Sequence, residues 1–190
     1  MGMLKPYILL GLLACSSLSV TSCSMGAGEV NFDRYSLTLN IDPKTYLYHQ
    51  AEVDLSLAPA LDQGGVVLQM SDVTLRPAKN YRYSADLDKE LRLLLVDELL
   101  KADLGTSIQS LKTDVYVSQF QGTIDGLALV AFSVKLSDIK SGKTILLKDY
   151  AAQTNIPQDG YDALVSELKN SYLQQVRAFI SDFKAYKASI

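Results

Sequence analysis

Tryptophan is absent from this chain, histidine occurs once and cysteine twice. With His49 as the sole imidazole, zinc, which normally takes several His or Cys ligands, has no ligand set to build on. His49 lies between Tyr48 and Gln50 in a polar segment and reads as a surface residue. No serine stands in a G-x-S-x-G elbow, so no nucleophile can be named. Basic excess is lacking too: 18 Lys and Arg stand against 21 Asp and Glu. The pI is 5.1, where a nucleic-acid module would show a basic stripe or a pI above about 9. There is no repeat, low-complexity tract or second domain. These deficits point away from an enzyme, a metal or cofactor protein and a nucleic-acid binder, and neither catalytic nor metal-ligating residues are assigned.

Only one long apolar run exists, Pro6 to Val20, and it loosens into Ser16, Ser17 and Ser19. A transmembrane helix needs roughly 20 predominantly apolar residues, which this run does not supply. With Lys5 before it and Val20-Thr21-Ser22-Cys23 after it, the run follows signal-peptide grammar and closes on the pattern of a bacterial lipoprotein cleavage site. Leu12-Leu13-Ala14-Cys15 also satisfies the small-residue-then-cysteine rule, but leaves a very short apolar core. Cys23 gives a core of the usual length of about 7–15 residues and a polar region after it. An ordinary secretory signal with a buried or paired cysteine is the alternative. The rest of the chain holds no cysteine to pair with, so cysteine usage argues for lipidation rather than a disulfide framework.

A lipobox implies a diacylglyceryl thioether and an N-acyl chain, palmitate or similar, on Cys23. At about 0.8 kcal/mol per buried methylene, several such chains hold a protein on a membrane. Ser24 follows the cysteine where an Asp commonly retains such lipoproteins at the inner membrane, so an outer-membrane anchor facing the periplasm is expected. The expected organisation is a signal peptide over 1–22, a lipidated N-terminus and tether over 23–30, and a single domain over 31–190. Residues 1–22 hold one lysine and no acidic residue, so the mature chain carries 17 basic and 21 acidic side chains, a net charge of −4.

Within the domain, Tyr35, Leu37, Leu39 and Ile41 alternate with polar residues and predict a strand over 34–41. Val53, Leu55 and Leu57 repeat the pattern, with Thr45–Gln50 between them unassigned. Asp62-Gln63-Gly64-Gly65 is turn chemistry before a short strand, Val66–Met70, and Ser71–Arg82 reads as a polar passage. Leu87, Leu91, Leu94, Leu95 and Leu99 predict an amphipathic helix within Ser84–Ala102, capped by Ser84 or Asp86 and ended by Gly105. Asp86, Asp88 and Glu90 favour its positive N-terminus. Val115 and Val117 mark another strand, Gly122 and Gly126 bracket a turn, and Leu127–Leu136 is apolar enough for a central strand covered on both faces. Ser141-Gly142-Lys143-Thr144 imitates the tail of a phosphate loop, but position 137 is Ser and a strand follows, so Asp138–Gly142 reads as a hairpin turn into Thr144–Thr154. A long helix from about Gln158 to Lys187 carries Leu164, Leu168, Tyr172, Val176, Phe179 and Phe183 on one stripe. Together these predict an α+β fold: a mixed, mostly antiparallel sheet of five or six strands with two main helices on one face. Of the 11 tyrosines, Tyr81, Tyr83 and Tyr186 are the candidate partner-interface residues, since Tyr is enriched at interfaces.

The motifs from Gly65-Val66-Val67-Leu68-Gln69-Met70-Ser71-Asp72-Val73 onward, through Asn80 and Leu87, resemble the PqiC family of ABC-type transport auxiliary lipoproteins. Val117-Ser118-Gln119-Phe120-Gln121-Gly122 with Asp125-Gly126, and Gln158-Asp159-Gly160-Tyr161 with Leu164-Val165, continue the resemblance in the same order. It runs from about Ala51 to Phe183. Tyr83-Ser84 and Phe132 stand where members of that family often carry tryptophan. The resemblance implies an outer-membrane lipoprotein that docks an envelope-spanning MCE-domain protein in a system moving lipids between membranes. Because MCE proteins form symmetric tubes, a ring of identical lipoproteins is the simplest matching assembly. The alternative is a periplasmic lipid-binding carrier whose sheet and long helix enclose an acyl chain.

Overall fold

Nine apolar or hydroxyl side chains on one stripe of the last helix, from Leu164 to Phe183, are buried against a sheet, and this packing organises the rest of the molecule. The computed structural model describes residues 33–48 and 52–188, which lie in a compact unit spanning Asn31–Ile190. In chain order the elements are β1 (Asp33–Tyr35), α1 (Pro43–Leu47), β2 (Glu52–Leu57), β3 (Gly65–Ser71), β4 (Thr74–Tyr83), α2 (Leu87–Lys101), α3 (Gly105–Ile108), β5 (Leu111–Thr123), β6 (Leu127–Asp138), β7 (Thr144–Asn155) and α4 (Tyr161–Ala188). None of the described helices is long and apolar enough to cross a membrane.

The seven strands form one sheet in the order β1-β4-β3-β5-β6-β7, with β2 also on β5. The fold is α+β and the sheet is mixed, as the sequence predicts. β5–β6 and β6–β7 are long antiparallel ladders, β3–β4 is antiparallel, and β1–β4, β2–β5 and β3–β5 are parallel. One edge of β5 serves two partners: β2 pairs with Lys112–Val117 and β3 with Gln121–Thr123, on either side of a bulge between Val117 and Gln119. The bulge re-phases the strand, so that Val115 and Val117 before it and Phe120 after it all face the helices.

On that face Val53 and Leu55 of β2, Ala128, Val130, Phe132, Val134 and Leu136 of β6, and Tyr150 of β7 form the floor on which α2 and α4 lie. Aromatic rings run through this layer from Tyr83 by Phe120, Tyr172, Phe132, Tyr150 and Phe179 to Phe183, with neighbouring centroids 5.4–6.5 Å apart. Fully burying one such side chain contributes roughly 1.5–3 kcal/mol. Gly122 permits a close approach of helix to sheet, since a Cβ there would lie 2.8 Å from a Leu164 methyl.

Several local expectations are corrected. The alternation over 34–41 yields only the three-residue β1; a turn follows in which Leu37 is 0% exposed and Leu39 78% exposed. Asp42-Pro43 then starts α1, with Asp42 accepting from the Lys44 N–H at 2.9 Å and Pro at the first turn. The polar passage 71–82 is mostly β4, an edge strand beyond its short pairing with β1, where Pro77 is tolerated because the lost N–H faces no full ladder. α2 ends before Gly105: Asp103 takes the left-handed conformation at φ 58°, and the Leu104 N–H reaches the Leu99 carbonyl at 3.0 Å. Gly122 lies inside β5, and only Gly126 belongs to the turn. β6 is central and buried on its helix-facing side from Ala128 to Leu136, while Leu129, Ala131 and Ser133 on the other face are half-buried and Lys135 is exposed.

Candidate functional site

Cys23, its alternative Cys15, and His49 lie outside the described residues. What the structure does show is how the first described segment, residues 33–48, is held. Three acidic residues of α2 fall on the same helical stripe as Leu87, Leu91 and Leu94, and that stripe is turned inward. Glu90, 2% exposed, accepts the Leu37 N–H at 2.7 Å and the Ser84 hydroxyl at 2.8 Å. Asp97, two turns on, accepts the Thr45 hydroxyl at 2.8 Å and the Asp42 N–H at 3.3 Å, and pairs with Lys101 at 2.6 Å. Glu98 binds Arg177 of α4 at 2.7 Å and Lys101 at 3.1 Å, joining the two helices. Burial pushes the Asp97 and Glu98 carboxyls up, but these partners outweigh it and hold both below the ordinary carboxylate range. Of the three carboxylates expected to favour the helix N-terminus, Glu90 is therefore a buried fastener for the N-terminal segment. Asp86 does occupy the N-cap position, where it pairs with Lys89 without making a side-chain cap bond. A carboxylate on an apolar stripe is the signal in the sequence for Glu90 and Asp97.

The three candidate interface tyrosines part company. Tyr83 is 4% exposed and packs on Phe120 with centroids 6.2 Å apart, so it is a core residue and does not present its ring to a partner. Burial, with Glu90 nearby, pushes its phenol up, and its hydroxyl makes no hydrogen bond among the described residues. Tyr81 is half-buried and stacks on Tyr161 with centroids 4.0 Å apart and planes 15° apart. Tyr186 is half-buried near the other end of α4. With Tyr186 25 positions after Tyr161, the two ends are separated by roughly 37 Å along the helix. A standard interface buries about 800 Å² per partner, too little to take in both ends comfortably.

Each end has a cleft. At the Tyr161 end, a cleft of about 210 Å³ lies between Leu68, Ile124, Ile156 and Leu164, with Asp159 at its edge. The two neighbouring turns are tied together, Ile124 N–H to the Gln69 carbonyl at 3.3 Å and Ile156 N–H to the Gly126 carbonyl at 2.8 Å. Apolar side chains stand in the open at this end: Ile124 is 62% exposed in the β5–β6 turn and Val73 94% in the β3–β4 turn. At the Tyr186 end, a cleft of about 590 Å³ lies between α3, the β6–β7 turn and the tail of α4. The layer between sheet and helices is filled, with Phe120, Tyr172, Phe179 and Phe183 all no more than 2% exposed.

The model of the family described as ABC-type transport auxiliary lipoprotein component matches residues 49–181, from just before β2 to near the end of α4. The chain is 26% identical over 187 residues to the intermembrane transport lipoprotein PqiC of Escherichia coli K12, covering 91% of this chain and 96% of that protein, and the match to PqiC of Shigella flexneri has the same figures. A crystal structure of an uncharacterised protein superposes with a TM-score of 0.63 at 24% identity, over 69% of this chain and 88% of that one. A protein from Xanthomonas campestris also reaches 0.63, at 11% identity, over 83% of this chain and 98% of its own. At such identities these two share the fold. The match takes in strands β2 to β7, all of α2 and most of α4, and the chain belongs to the family of ABC-type transport auxiliary lipoprotein components.

Proposed function

We propose that this chain is an outer-membrane lipoprotein, acylated at Cys23, whose domain of residues 31–190 docks an envelope-spanning MCE-domain protein during transport of lipids between membranes. The family match over residues 49–181 carries the reading, and the likeness to PqiC, named an intermembrane transport lipoprotein, supports it. The signal peptide over 1–22 and the tether over 23–30 supply the anchor, and Ser24 favours the outer membrane. A ring of identical copies meeting a symmetric partner is the assembly that fits this role best.

The docking end is the one that carries Tyr81. Exposed Ile124 lines the cleft beside Tyr161, which stacks on Tyr81, and exposed Val73 lies in the β3–β4 turn at the same end; apolar and aromatic side chains are what the centre of a protein interface uses. Asp72, Asp125 and Asp159 are exposed in the turns at the same end, which suits a partner surface of apolar centre and basic rim.

A photoreactive amino acid placed at Tyr81, Ile124 or Tyr186 of the full chain in cells, with a tagged MCE-domain protein from the same organism, tests this. Adducts from positions 81 and 124 and none from 186 are expected. Adducts from 186 alone would move docking to the opposite end, and none from any position would sink the reading. In parallel, Cys23→Ala should release the chain from the outer-membrane fraction, while Cys15→Ala should leave it there.

A further inference from the structure

The cleft at the Tyr186 end joins apolar and cationic side chains along one opening. Its floor is apolar, made by the buried Leu111 and Phe183 and the half-buried Ile145. Two lysines, Lys143 and Lys187, stand over that floor, with Lys140 in the same turn, although the mature chain as a whole carries an excess of acid. One aspartate, Asp138, lies in the lining; its Oδ1 accepts both the Ser141 N–H at 2.6 Å and the Ser141 hydroxyl at 2.7 Å, which orients it into the turn, and its single charge stands against the two lysines. Ser107 accepts from Lys187, which leaves its own hydroxyl hydrogen for an incoming acceptor. The volume, about 590 Å³, falls within the roughly 300–1,000 Å³ of ligand pockets.

We infer that this cleft binds an anionic amphiphile with an unbranched acyl chain, its carboxylate or phosphate head between Lys143, Lys187 and Ser107 and the first part of its chain on Leu111, Ile145 and Phe183. Apolar floor and cationic rim meet along one opening, which matches a molecule whose charge and apolar chain adjoin. A free anion would use only the rim, and a neutral amphiphile only the floor. The site lies at the opposite end of α4 from the proposed docking surface and does not depend on it.

The test uses the full chain reconstituted in phosphatidylcholine vesicles that contain a trace of diazirine-bearing oleate, with diazirine-bearing oleyl alcohol as the neutral control. Peptide mapping after illumination should place the label on segments containing Leu111, Ile145 or Phe183. Oleyl alcohol should label these segments about tenfold less, and K143Q/K187Q should lower oleate labelling by about tenfold, the scale of losing charge-assisted hydrogen bonds. Both lysines are exposed, and an unchanged melting curve confirms that the variant folds. Label outside the three segments, equal labelling by the alcohol, or no loss in the variant would overturn the inference. So would complete displacement by inorganic phosphate, since the rim alone would then account for binding. Vesicles without any MCE-domain protein suffice, so this outcome is separate from the outcome for docking.

Discussion

Glu90→Ala should unfasten the N-terminal segment from the body of the domain. The side chain is 2% exposed and holds two donors, the Leu37 N–H and the Ser84 hydroxyl. A hydrogen bond to a charged group contributes about 1.5–3 kcal/mol net, and a buried donor left unsatisfied costs about 1–3 kcal/mol. Removing the carboxylate also removes its own desolvation cost, so the balance is a loss of about 3 kcal/mol, at the lower end of what breaking a buried charged contact costs. For a domain of this size that lowers the melting temperature by about 6–12 °C. Glu90→Gln retains the shape and one acceptor oxygen, and the Ser84 hydroxyl can turn to accept from the new amide, so it should cost about 1 kcal/mol. Hydrogen exchange read at the Leu37 amide adds the local test: protection should fall sharply in the alanine variant and only slightly in the glutamine one. Equal damage from both variants, or unchanged Leu37 protection in Glu90→Ala, would refute the reasoning.

Other changes probe other parts of the packing. Gly122→Ala places a methyl 2.8 Å from Leu164 and should cost about 1–3 kcal/mol by urea unfolding, because helix and sheet must part. Tyr83→Phe removes a buried hydroxyl that makes no bond among the described residues and should leave stability unchanged or raise it by up to about 1 kcal/mol; a loss larger than that would mean the hydroxyl has a partner. For Asp97 and Glu98, folded pKa values held below the ordinary range mean that their stabilisation is present above the unfolded values of about 4 and is lost as pH falls through the folded ones. Stability should therefore be level from neutral pH to about 5 and fall below about 4, and Asp97→Asn should lower the neutral plateau and flatten the acid limb.

The parts of the fold legible in the sequence are those where periodicity and burial agree. The stripe from Leu164 to Phe183 reads correctly because every member faces the sheet, and Asp138–Gly142 reads as a hairpin because Gly142, at φ 67°, sits where a turn requires it. β4 is hidden because an edge strand exposed on most positions has no apolar alternation, and Pro77 argues against any strand. Residues 34–41 alternate for another reason: Leu37 is drawn inward by Glu90 and Ile41 follows from a turn, so contacts outside any strand imitate a local period. Parallel pairing of β2 and β3 with the same edge of β5 is set by distant contacts that no local pattern records. Among the candidate interface tyrosines, polar neighbours suggest exposure for both Tyr81 and Tyr83. The chain's register on β1 and β3 instead leaves Tyr81 half-buried at the rim and places Tyr83 under the helices.

Docking of an MCE-domain protein by this lipoprotein is tested most directly by affinity purification of the tagged full chain from detergent-solubilised membranes, with quantitative mass spectrometry of what accompanies it. An MCE-domain protein should be recovered in defined stoichiometry with the chain, and should be lost when Ile124 and Val73 are both replaced by aspartate while the variant stays folded and anchored. Recovery of the chain without any MCE-domain protein, under conditions where both are expressed in the same membranes, would contradict the proposed role.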